Sequence, residues 1–270
     1  MLRRFSSYSL QLSGKTKPSS RTWLSRQAAD LYVKMARQHG YRARSSFKLL
    51  HLLNKYPLLN LPSKSLSPAN QTVVIECGSA PGGWSQVLSH VLYSQQQTTR
   101  TSPETLSKPL DQKLPDSLEK ILSAPFDYNR VISVDILEMV PVEGVDFICG
   151  DFTNPIIKQE ITQKIGSRKV GLILSDMAPN LSGNRLVDDS KSTASIYHSL
   201  ELCLDVLRFA ENYLDKDGSL VLKYFMGQNH TELRNLLRKR FAKVHSEKPP
   251  SSRKESSEQY FVATGYLANK

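Results

Sequence analysis

Thr72 to Gln86, "TVVIECGSAPGGWSQ", carries an apolar run into a glycine-rich turn. Three further apolar runs, "RVISVD", "VDFICGD" and "VGLILSD", each end in an acid: Asp135, Asp151 and Asp176. Lys223 interrupts a fifth run, "GSLVLKYF". A glycine turn lets a ligand approach the backbone closely, and acids at neighbouring strand ends can accept hydrogen bonds from sugar hydroxyls. The turn lacks the Lys-Ser/Thr pair of a Walker loop and the second glycine of a G-x-G-x-x-G fingerprint, and Pro81 removes an N–H. It is therefore poorly built for a pyrophosphate and better suited to a nucleoside without phosphates. Lys223 is a general base or a stabilising cation if it is held in a site, and otherwise a strand-edge lysine that snorkels to water.

The elements that must position these residues follow from periodicity. Short β-branched runs at 72–77, 130–135, 145–151, 170–176 and 218–225 read as strands, with further candidates at 241–247 and 257–266. Helices are predicted over Thr22 to Gly40, over "SSFKLLHLLNKY" with Ser45 or Ser46 as cap and Pro57 as stop, and over "STASIYHSLELCLDVLRFAENYL". Strands alternating with helices predict a doubly wound, Rossmann-like α/β sheet of about seven strands, whose ligand crevice lies at the strands' carboxyl ends. S-adenosylmethionine is a nucleoside of the kind the turn favours. Asp135 would then take its ribose hydroxyls and Asp151 its adenine edge, the alternative for each acid being a cap or an exposed strand end. Asp135 follows the turn at far more than the usual spacing of about 20 residues. The polar, proline-containing segment 94–127 accounts for the excess if it is a surface insertion.

Of 270 residues, 39% are hydrophobic and 23% charged, a globular composition, and no apolar run approaches the roughly 20 residues that cross a bilayer. The net charge of +11 points to a polyanionic partner. Part of it sits in residues 1–29, which hold Arg3, Arg4, Lys15, Lys17, Arg21 and Arg26, several serines and no acid. That make-up predicts a mitochondrial presequence, set here at 1–21, ahead of one catalytic domain at 22–270; the alternative is a basic tail that touches RNA. The remainder is still net basic. Lys34, Arg37, Arg42, Arg44 and Lys48, with Tyr41 and Phe47 between them, predict a surface that neutralises phosphates and stacks bases. "RNLLRKRFAK" and "KPPSSRK" read as a solvated basic face. Cys77, Cys149 and Cys203 are far apart and predicted to be buried free thiols, with neither a disulfide framework nor a metal site expected.

Five motifs in one order, "APGGWSQ", "VDFICGDF", "LSDMAPN", "LVLKYF" and "SSEQYFVATGY", closely resemble the FtsJ-type RNA 2′-O-methyltransferases, from about Trp23 to Tyr266. The resemblance implies S-adenosylmethionine contacts from Pro81, Gly82, Gly83, Trp84, Asp135, Asp151 and Asp176. It also implies a catalytic set of Lys48, Asp176, Lys223 and Glu258. Glu76, Cys77 and Ser79 depart from the bacterial pattern in the turn. The expectation is a monomeric enzyme of the mitochondrial matrix that methylates a uridine 2′-OH in large-subunit rRNA, with Lys223 as base and no metal. The alternatives are a 2′-O-methyltransferase for tRNA or another RNA, and an rRNA-binding assembly factor independent of catalysis. A dehydrogenase is disfavoured by the missing dinucleotide glycines.

Overall fold

The computed structural model describes residues 30–59, 72–98, 128–178, 193–227 and 230–268. The expected presequence and residues 99–127 of the expected insertion lie outside the described residues.

Seven strands form one sheet: β1 (Thr72–Cys77), β2 (Tyr128–Asp135), β3 (Val145–Cys149), β4 (Lys169–Ser175), β5 (Leu214–Phe225), β6 (Phe241–Glu247) and β7 (Glu258–Tyr266). Their order is β3-β2-β1-β4-β5-β7-β6. The first five run parallel, while β7 is antiparallel to both β5 and β6. The order reverses between β1 and β4, so their carboxyl ends flank a crevice.

Helices α1 (Leu31–Gln38), α2 (Ser46–Lys55), α3 (Gly83–Thr98), α4 (Pro155–Ile165), α5 (Thr193–Tyr213) and α6 (His230–Arg238) cover the sheet. Alternation along each strand divides its side chains between two cores. Val73, Ile75 and Cys77 of β1, with Leu220, Leu222 and Tyr224 of β5, pack toward α4, α5 and α6. Val74 and Val221 face the other way, into a core shared with α1, α2 and α3. Lys223 follows Val221 by two residues, so it shares that second face. Burial of each such valine or leucine contributes about 1.5–3 kcal/mol, which fixes the register that aims Lys223.

Several sequence expectations need correction. Helix α1 begins after Asp30, whose carboxylate accepts from Tyr32 N at 3.0 Å; residues 22–29 lie outside the described part. Ser45 occupies the α2 cap position but has a helical backbone and no side-chain cap. Ser46 Oγ donates to Gly83 O at 2.9 Å instead, pinning α2 to the start of α3. Helix α3 continues to Thr98, so the first residues of the expected insertion are helical. Cys77 and Cys203 are buried as expected, but Cys149 at the end of β3 is exposed.

Candidate active site

Topology brings the expected catalytic residues to one edge. Asp176 immediately follows β4, and Lys223 lies near the carboxyl end of β5. Because β7 runs antiparallel to β5, its first residue, Glu258, pairs with Phe225 at that same edge. Lys223 pairs directly with Tyr260, and cross-strand partners share a face. Lys223, Tyr260 and Glu258 therefore point together toward α2, from which Lys48 reaches back.

The four expected residues form one connected group. Lys48 Nζ lies 2.9 Å from Glu258 Oε1 and 4.0 Å from Asp176 Oδ1. Lys223 Nζ lies 3.1 Å from Asp176 Oδ1 and also donates to the Asp176 carbonyl. Both lysine side chains are only 9% exposed, so their charges depend on these carboxylates. Burial would push the Asp176 carboxyl up, but the Lys223 and Lys48 ammonium groups and the Tyr260 hydroxyl outweigh it, holding Asp176 below the usual range. Glu258 is likewise pushed up by burial and drawn below its usual value chiefly by Lys48.

Tyr260 is a fifth member that the sequence reading did not single out. Its hydroxyl donates to Asp176 Oδ1 at 2.5 Å, and Lys48 Nζ lies 5.7 Å from the centre of its ring. Burial, then the Asp176 and Glu258 charges, hold the phenol well above its ordinary range, so it remains a donor. Its place two residues after Glu258 on an alternating strand was the available signal. Cys203 Sγ on α5 contacts the Lys223 carbonyl at 3.1 Å, holding the strand behind the lysine.

The expected cofactor residues lie on the neighbouring strand ends. The N–H groups of Gly78 and Ser79 donate to Val134 O at 2.8 and 3.3 Å, and that of Gly82 to Ser79 O at 2.7 Å. Ala80 N donates to Asp135 Oδ2 at 2.8 Å. With Pro81 lacking an N–H, the amides of Gly78, Ser79, Ala80 and Gly82 are spent within the protein rather than arrayed toward an anion. Gly82 has φ of +100°, a conformation that side chains disfavour. Asp135 also accepts from Leu137 N at 2.8 Å, and each oxygen retains a lone pair for a further donor. Ile136 and Leu137 beside it are 57% and 62% exposed, an apolar ledge next to a carboxylate. That pairing fits a ribose and a purine face, and so fits an S-adenosyl nucleoside. Asp151 is exposed, and its Oδ1 accepts from Thr153 N at 2.8 Å and Thr153 Oγ1 at 2.7 Å.

Trp84 turns into the core. It is 2% exposed, its indole donates to Ser45 O at 2.8 Å, and its ring lies 5.9 Å from that of Tyr260. Any cofactor contact from this residue falls to its backbone, while its side chain links the turn to β7. Glu76, beneath the turn, accepts from Ser85 Oγ at 2.5 Å and Ser133 Oγ at 2.9 Å. Burial pushes its carboxyl up to about 7, against the pull of those two hydroxyls.

The basic segment needs revision. Tyr41 and Phe47 are buried core residues, so neither is free to stack on a base. Arg44 is engaged by Asp30 and the Ser251 carbonyl, and Arg42 by three backbone carbonyls. Lys34 and Arg37 on α1 remain exposed.

Residues 41–266 match the FtsJ-like methyltransferase family, which spans the sheet and every residue of the site. The chain belongs to that family. Among curated FtsJ-like relatives, a ribosomal RNA large subunit methyltransferase E of Bordetella petrii is 37% identical over 247 residues, covering 92% of this chain and 96% of its own. The protein of the same name from Francisella tularensis subsp. novicida is 36% identical over 248 residues, covering 92% of this chain and 97% of its own. A crystal structure of a ribosomal RNA methyltransferase from Plasmodium falciparum shares the fold with a TM-score of 0.59 at 23% identity, over 85% of this chain and 100% of that one. In this FtsJ-like chain no described helix is long and apolar enough to cross a membrane.

Proposed function

We propose that this chain transfers a methyl group from S-adenosylmethionine to the ribose 2′-OH of a uridine in mitochondrial large-subunit rRNA, acting as a monomer. The observation that carries the reading is the buried Lys48–Glu258 and Lys223–Asp176 arrangement beside the turn at Gly78 to Gly83. Membership of a methyltransferase family and the names of the two bacterial relatives support the reaction and the large-subunit RNA substrate. The Arg- and Ser-rich, acid-free residues 1–29 support the organelle.

When bound, the cofactor supplies a methyl group on a sulfonium, whose departure needs no acid. The protein's task lies at the ribose hydroxyl, a weak acid. Lys223 accepts the hydroxyl proton once its ammonium has released its own to solvent, and Asp176 fixes its nitrogen through both its carboxylate and its carbonyl. Lys48 keeps a positive charge beside the developing oxyanion, oriented by Glu258. Tyr260 donates to Asp176 Oδ1, the same carboxylate oxygen that Lys223 meets.

Purified protein given labelled methyl donor and separate large-subunit rRNA and tRNA transcripts tests the reaction and substrate. Label on a uridine 2′-oxygen of the rRNA is expected; label on tRNA alone, or on a base, contradicts the reading. Fusion of residues 1–29 to a fluorescent reporter tests the organelle, with a cytosolic signal counting against it.

A further inference from the structure

Arg42, expected from the sequence to meet RNA phosphates, gives its guanidinium to backbone carbonyls. Nη1 donates to Pro81 O at 3.3 Å and also to Val140 O, while Nη2 donates to Pro141 O at 2.8 Å. Pro81 belongs to the glycine turn, and Val140 and Pro141 to the connection between β2 and β3 that follows Asp135 and begins with the Ile136–Leu137 ledge. The side chain therefore bridges the turn after β1 and the connection after β2, the two segments that carry the expected cofactor contacts Pro81 and Asp135. A Cβ added at Gly82 would lie 2.7 Å from Nη1, so the guanidinium packs directly against the turn. The arginine's own backbone is fixed as well. Arg42 N donates to Gln86 Oε1 at 2.7 Å, and Gln86 Nε2 donates to Gly40 O at 3.2 Å, which anchors the segment to α3.

These contacts use donors that a phosphate would otherwise claim. A guanidinium has five N–H groups in a rigid planar fork, well matched to acceptors that must be held at a fixed separation. A lysine in the same place has a single ammonium and cannot span the two segments in the same way. We propose that Arg42 is a positioning residue for the cofactor crevice, setting affinity for the S-adenosyl nucleoside by clamping the Pro81 turn to the Val140–Pro141 connection, and that it is not a contact for RNA. The inference rests on the cofactor reading given above.

Calorimetric titration of the full chain with S-adenosylhomocysteine, on wild type, Arg42→Ala and Arg42→Lys, tests it. Arg42→Ala is expected to weaken binding by roughly ten-fold or more, equivalent to about 1.4 kcal/mol, with Arg42→Lys between it and wild type. KM for S-adenosylmethionine should rise in step, with kcat nearly unchanged. Affinity for a large-subunit rRNA fragment, measured across a salt series, should keep its wild-type slope. If Arg42→Ala instead lowered the salt slope by about one and left nucleoside binding intact, Arg42 would be a phosphate contact and the inference would be overturned. Unchanged affinity for both ligands would overturn it equally. Should Arg42→Ala fail to fold, Arg42→Lys decides by the same criteria. Wild type that bound no S-adenosylhomocysteine would place the fault in the cofactor reading itself, and the role of Arg42 would fall with it.

Discussion

Lys223 meets Asp176 twice, with its ammonium nitrogen 3.1 Å from the carboxylate and a second hydrogen bond to the carbonyl of the same residue. This double hold sets the amine's direction as well as its distance. It ties the end of β5 to the end of β4 at the edge where the crevice opens.

Asp176 is the common partner of Lys48, Lys223 and Tyr260. Asp176→Asn keeps its shape and removes its charge, leaving a largely buried ammonium without its counter-ion. Methyl transfer should fall by about 10²-fold or more. Breaking a buried ion pair from one side costs about 3–5 kcal/mol, so the melting temperature should drop too. Activity and thermal unfolding of the purified variant check both, and an unchanged pair of values would remove Asp176 from the centre of the site.

Acid should undo the same group. Asp176 and Glu258 are held below the usual carboxylate range, so the stability they contribute is present above their unfolded-state values and lost as pH falls through their folded ones. Urea unfolding between pH 7 and pH 3 should show this loss, and Glu258→Gln should show a shallower one. Parallel curves for the two proteins would contradict the assignment.

Glu76 predicts the opposite trend at higher pH. Its carboxyl stands at about 7 in the folded protein against an ordinary 4.5, so its favourable contribution is complete below 4.5 and lost as pH rises through 7. The full difference is roughly 3 kcal/mol. Glu76→Gln should therefore unfold with less pH dependence between 4.5 and 8 than wild type. Equal dependence would mean that Glu76 is not the group responsible.

Gly82 tests the crevice from the backbone. Gly82→Ala forces a side chain into a φ of +100°, with its Cβ 2.7 Å from Arg42 Nη1 and 3.2 Å from Met139 Sδ. Arg42 cannot yield without giving up its carbonyl partners. A loss of about 1–3 kcal/mol in stability and weaker S-adenosylhomocysteine binding are expected, measurable by denaturation and calorimetry. Wild-type binding by this variant would show that the turn is not a wall of the site.

Much of the architecture was legible because β-branched runs ending in acids have few other uses. The strand 241–247 has the predicted bounds, and β5 is longer at its start because Leu214 pairs with Val170 ahead of an irregularity. The candidate catalytic group was legible only through a resemblance. Lys48 sits on a helix, and nothing in its local spacing says that Glu258, far along the chain, will lie 2.9 Å away. The basic segment misled for a physical reason. Composition shows that Arg42 and Arg44 are cations, but not that carbonyls and Asp30 already hold them. Tyr41 and Phe47 read as stacking aromatics because a sequence does not reveal which side of a short connection faces the sheet.

The central claim is tested most directly by following transfer of a labelled methyl group to a large-subunit rRNA transcript by Lys223→Ala, alongside S-adenosylhomocysteine binding. The account predicts binding close to wild type and a fall in 2′-O-methylation of about 10²–10⁴-fold. A variant that methylates the ribose at the wild-type rate would contradict it.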